Sequence, residues 1–139
     1  MKRTWKLLLV CILAVAAVVA AAAGICARYV LHYPAVGGDF EISFIRAGET
    51  LEDITEQLDQ DTLDALNELA RGTERRGFRV RRSPWLSESS VEINGRDGEG
   101  LWHIYLDEDT SVINDGDRRY PLINGDELLE QVWALLPEQ

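Results

Sequence analysis

LWHIYLDEDTSVINDGDRRYPLINGDELLEQVWALLP, residues 101–137, decides the fold class. Leu101 to Leu106 is apolar on both faces, the pattern of a strand in the middle of a sheet. His103 shares a face with Leu101 and Tyr105. Val112 and Ile113 form a short strand before the turn residues Asn114-Asp115-Gly116-Asp117, and Tyr120 to Ile123 begins the return. Asn124 with Glu127 then caps a helix. Its buried stripe is Leu128, Leu129, Val132, Leu135 and Leu136, and Pro137 closes it.

Upstream, Phe40, Ile42 and Phe44 alternate with Glu41 and Ser43 as in a strand, which Gly48 breaks. Residues 50–58 fit two readings. Thr50 with Asp53 resembles a capping box and Leu51, Ile54 and Leu58 have helical spacing, yet the same residues suit a returning strand. Asp59 or Asp61 caps a second helix striped by Leu63, Leu66, Leu69 and Ala70 and ended by Gly72. Phe78-Arg79-Val80-Arg81 alternates as a strand. So does Val91-Glu92-Ile93, which stops at the hairpin signal Asn94-Gly95. The expected fold is α+β: one antiparallel sheet of about five strands, with two or three helices packed on one face.

Before this domain lies Leu7 to Ala27, apolar and without charge for 21 residues. As a helix it spans roughly 31 Å, about the thickness of a hydrocarbon core. Trp5 and Tyr29 flank it as rings suited to the membrane interface, and Tyr33 follows. Lys2, Arg3 and Lys6 precede it. The expected organisation is a cytoplasmic N-terminus at 1–6, a transmembrane anchor at 7–28, a linker at 29–39 and an extracytoplasmic domain at 40–137, all in a single-pass protein of the cell membrane. Membrane lipid is thus a partner through the helix. A cleaved signal peptide has a shorter apolar core, although Ala21-Ala22-Ala23 would satisfy a cleavage site. Cys26 follows Ile25, which is out of frame for lipidation.

The chain carries 24 acids and 14 basic residues among 139. All the acids lie from Asp39 onward against 10 arginines there, so the domain's net charge is 10 − 24 = −14. Such a charge disfavours nucleic acid and anionic headgroups. Cys11 and Cys26 both lie in the apolar run, so the domain folds without disulfides.

No residues assemble into a catalytic, metal or cofactor motif. His32 and His103 are too few and too far apart for zinc. Ser83, Ser87, Ser89 and Ser90 lack a nucleophile signature. The acids at 107–109 and 114–117 miss the spacing of a calcium loop, and turn chemistry explains them better. What remains is a candidate interaction surface. Arg79 and Arg81 belong to a basic block with Arg71, Arg75, Arg76 and Arg82, suited to anionic wall polymer or a partner's carboxylates. Trp85, after Ser83-Pro84 in a loop, is the candidate exposed recognition aromatic. Trp102 and Trp133 are expected to fill the core.

Two resemblances add to this reading. Ile45-Arg46-Ala47-Gly48-Glu49-Thr50-Leu51-Glu52-Asp53-Ile54 looks like the opening of a lysin motif, which implies a strand–helix–helix–strand module binding N-acetylglucosamine polymers. Thr55 departs from that pattern, and no glycine follows the first helix. Over nearly the whole chain the layout is similar to small membrane-anchored extracytoplasmic proteins of Gram-positive anaerobes, a domain family of unknown function. The residues that carry this second likeness are Leu63–Ala70, Trp102–Leu106 and Tyr120–Leu129. It implies a fold and a location, and no activity.

Overall fold

The computed structural model describes residues 2–138. Helix α1 (Lys2–Ile25) continues through a π-helical turn, Cys26–Val30, so that one helical span of 29 residues reaches the domain. None of the residues of α1 is buried against protein. By length and composition it can cross a membrane, a description that a signal sequence also meets.

The domain is α+β, as expected. Its chain order is β1 (His32–Pro34), β2 (Glu41–Ala47), β3 (Glu52–Asp53), α2 (Gln60–Arg71), β4 (Glu74–Arg76), β5 (Val91–Asp97), β6 (Gly100–Leu106), β7 (Val112–Asp115), β8 (Arg118–Pro121) and α3 (Gly125–Leu135). Six strands form one antiparallel sheet in the order β3-β2-β5-β6-β7-β8, and β1 pairs with β4 in a separate two-stranded ribbon. Leu66 and Ala70 of α2 and Leu128, Leu129 and Val132 of α3 join Ile45, Val91, Ile93, Ile104 and Ile113 in one apolar core. The sheet therefore has a helix-covered inner face and an outer face free of helices.

Local chemistry accounts for the ends of α2. The Asp59 carboxylate accepts a bond from the Thr62 amide at 2.8 Å, which satisfies one of the free donors of the first turn and holds the carboxyl below its ordinary pKa. The expected cap on α3 is not made. Asn124 sits in the left-handed region (φ 54°) and its side chain bonds no amide.

Residues 50–58 are mainly turn and edge rather than α-helix. Gly48 (φ 87°) and Leu51 (φ 49°) reverse the chain, β3 pairs back on β2, and a single 3-10 turn follows at Thr55–Gln57. Thr55 fastens this hairpin. Its hydroxyl accepts from the Ile45 amide at 2.9 Å and bonds the Asp53 carboxylate at 2.5 Å.

The hairpin expected at Asn94-Gly95 is displaced. Strand β5 runs through both residues to Asp97 and turns at 98–99. Gly95 is needed in mid-strand because the Phe40 ring and the Glu41 carbonyl occupy the space of a Cβ. The expected strand at Phe78–Arg81 is not a regular strand either. Its Val80 amide bonds the Arg119 carbonyl at 2.9 Å, so the segment runs irregularly along the outer side of β8. Ahead of it, β4 lies beside the same edge through the Ile123 amide bonded to the Glu74 carbonyl and a bridge between Arg75 and Leu122.

Residues 29–39, expected as a linker, are folded onto the domain. His32–Pro34 is a strand, and Ala35 and Val36 are buried in the core. The Ala35 amide bonds the Thr73 carbonyl at 2.9 Å, and the Gly37 amide bonds Asp97 Oδ2 at 2.6 Å. Burial pushes the Asp97 carboxyl up, but bonds from the amides of Gly37, Glu99 and Gly100 outweigh it and hold the pKa below its ordinary value. A depressed folded pKa gives stability that is present above the unfolded pKa and lost as pH falls through the folded one. Wild type should therefore lose stability more steeply than Asp97→Asn below about pH 4, as read by circular dichroism across an acid titration.

Candidate functional site

The outer face of the sheet carries two rows of side chains set by strand register. One row crosses Phe44, Asn94, His103, Asn114 and Arg119. The other crosses Arg46, Glu92, Tyr105, Val112 and Pro121. An outer face is ordinarily solvated, yet Glu92 and Asn94 are each only 3% exposed and Val112 only 2%.

Glu92 is the centre of charge. Its Oε1 lies 3.5 Å from His103 Nδ1, and its Oε2 lies 3.6 Å from Arg46 Nη1. Burial first, and then the Glu92 charge, raise the Tyr105 hydroxyl above its ordinary pKa. The Arg46 guanidinium also rests over the Phe44 ring, 4.8 Å from its centroid. Several buried polar atoms on this face have no hydrogen-bonding partner among the described residues: Glu92 Oε2, both amide atoms of Asn94, Asn114 Oδ1 and Arg119 Nε. Each such group costs about 1–3 kcal/mol if left without a bond.

A strap of chain from Gly77 to Ser90 runs from the β8 edge to the turn after β6. At one end Arg119 Nη1 donates to the Arg82 carbonyl at 2.7 Å. At the other, the hydroxyls of Ser87 and Ser90 donate to the buried Asp107 carboxylate, Ser90 at 2.7 Å. Trp133 Nε1 donates to the Ser89 carbonyl at 2.8 Å, tying α3 to the same end. Asp107 and Asp115, two of the acids in the calcium reading, are thus engaged within the fold, since Arg118 pairs with Asp115.

The three candidate surface residues fall together on this strap. Arg79 and Arg81 are exposed, and Trp85 is the most exposed aromatic of the domain at 69%. Of the interface rings, Trp5 is exposed on α1, whereas Tyr29 stacks on Phe78 of the strap with centroids 5.2 Å apart. Trp102 is buried as expected, and Trp133 is half-buried. His32 lies 3.4 Å from Glu74 at the ribbon. His103 meets a carboxylate, Glu92, that sequence alone did not join to it. The usable signal was the alternation of Glu92 and Asn94 with Val91 and Ile93. It pairs with His103 and Tyr105 only once the hairpin is centred at 98–99.

Among the described residues no three His, Cys, Asp or Glu groups converge as metal ligands. No family model, curated protein or solved structure matches the chain.

Proposed function

We propose that the protein is a single-pass membrane protein whose extracytoplasmic, non-enzymatic domain binds or senses a polar ligand through the outer face of its sheet. The observation that carries this reading is the set of buried polar atoms on that face with no hydrogen-bonding partner among the described residues, both amide atoms of Asn94 above all. A fold kept only for stability would place apolar side chains there, since buried polar groups lacking bonds are costly. A ligand offering both donors and acceptors would match Asn94, Asn114 and Glu92 once the side chains that bury them move aside. The apolar helix supports the membrane half of the reading, and three positive charges ahead of it support an inside N-terminus.

Asn94→Leu separates binding from architecture without knowledge of the ligand. If the amide serves binding, its replacement by a side chain of similar size stabilises the domain by about 1 kcal/mol or more, a rise in Tm of at least about 4 °C. A fall in Tm by calorimetry would mean that the amide supports the fold, and the binding reading would lose its footing.

The lysin-motif alternative meets a specific difficulty, because Gly48 to Asp53 forms a turn and an edge strand where that module opens a helix. Retention of the full-length protein, in detergent, on purified peptidoglycan would nevertheless replace the present reading with that one. Protease cleavage of the domain in intact cells checks the orientation, since a cytoplasmic domain would be protected.

A further inference from the structure

We infer that residues 77–86 of the strap form a second membrane contact, lying on the headgroup layer and selecting anionic phospholipid. The inference rests on α1 being a retained membrane span.

The helix exit and the strap are physically continuous. A Cβ on Gly77 would lie 2.8 Å from the Ala27 carbonyl oxygen and 3.1 Å from that of Arg28, so the strap begins against the last turns of the span. Phe78 stacks on Tyr29, Arg76 Nη1 donates to the Val30 carbonyl at 3.3 Å, and the Tyr33 hydroxyl donates to the Ala27 carbonyl at 2.6 Å. If Ala27 ends the apolar core, residues touching it stand in the polar zone just outside it, which is only about 5–8 Å deep.

The chemistry of the strap suits that zone. From Arg75 to Ser87 the sequence holds five arginines and no acid. Arg28, Arg76, Arg79, Arg81 and Arg82 take part in none of the five ion pairs found among the described residues, which belong to His32, Arg46, Arg71, His103 and Arg118. Trp85 and Leu86 add exposed apolar surface, at 69% and 45%. Arginines outside any ion pair beside an exposed tryptophan are what a headgroup layer rewards.

The domain's charge of −14 is carried by acids outside the stretch from Arg75 to Ser87, which holds none. Exposed charges more than about 8–10 Å away are largely screened at physiological salt, so the strap's local positive charge governs at short range. A basic residue held at an anionic surface gains about fivefold in binding, and several together gain correspondingly more.

The test uses the full chain in nanodiscs of phosphatidylcholine alone and of phosphatidylcholine with phosphatidylglycerol. Incorporation into the disc is confirmed first. Failure to incorporate overturns the span on which the inference rests, separately from the strap. The inference expects hydrogen exchange at 77–86 to slow by on the order of tenfold in the anionic discs. The effect should disappear in 0.5 M salt and in the triple variant R79Q/R81Q/R82Q, whose far-ultraviolet dichroism reports that it still folds. Equal exchange in both lipids overturns the inference. So does protection that appears only when soluble poly(glycerol phosphate) is added, which would assign the strap to a wall polymer instead.

Discussion

Gly95→Ala is expected to be the most damaging single-methyl change in this domain. The added Cβ would stand 2.7 Å from Phe40 Cε2 and closer still to the Glu41 carbonyl oxygen. Neither neighbour has room to retreat. Phe40 is fully buried, and Glu41 is a paired residue of β2 across from Arg96. Overpacking of a filled core ordinarily costs about 1–3 kcal/mol, and the backbone contact places this case at the upper end or beyond. For a domain of this size that means a fall in Tm of more than about 10 °C. Phe40→Leu should partly rescue it, because the ring is one of the two obstacles. If Gly95→Ala melts within about 2 °C of wild type, the packing of Phe40 under β5 is wrong.

The second large effect concerns where the domain begins. A fragment starting at residue 40 removes β1, the buried Ala35 and Val36, and the bonds to Thr73 and Asp97. Burial of the valine and alanine is worth about 2 kcal/mol together. The two hydrogen bonds add about 1 kcal/mol each, and the Asp97 bond more because its acceptor is charged. The fragment 40–139 should therefore melt at least about 15 °C below the fragment 31–139. Calorimetry of the two fragments side by side decides it. Equal melting would restore 29–39 to the status of a linker.

Legibility in the sequence followed periodicity and failed where packing acts at a distance. The stripes of α2 and α3 and the two-sided apolar strand Leu101–Leu106 are local patterns, and they placed the helices and the central strand. Asn94-Gly95 misled because a turn signal describes what the backbone can do, whereas the need for Gly95 comes from Phe40, 55 positions away in the chain. Residues 29–39 read as a linker because Pro34, Gly37 and Gly38 are turn residues, while the buried pair Ala35 and Val36 between them is too short to show a period. The same displaced hairpin hid the candidate face. Glu92 and Asn94 reach Tyr105 and His103 only through the true register. The candidate surface residues Trp85, Arg79 and Arg81 needed no register, since all lie on one short stretch of chain.

If α1 is retained as an anchor, the two edges of the sheet have a consequence for life on a membrane surface. Anchored proteins are confined to two dimensions and meet one another with their domains at similar heights. An open strand edge in that setting is an invitation to pair with the neighbour's. Here one edge is β3, only two residues long, beside which the Ile42 and Ile45 amides of β2 are taken by the Asn67 and Thr55 side chains, and the other, β8, has its outward side engaged by Val80 and flanked by β4. Copies crowded in the same patch of membrane should therefore collide without joining sheets. A lesion that frees the strap from β8 would turn that crowding into aggregation.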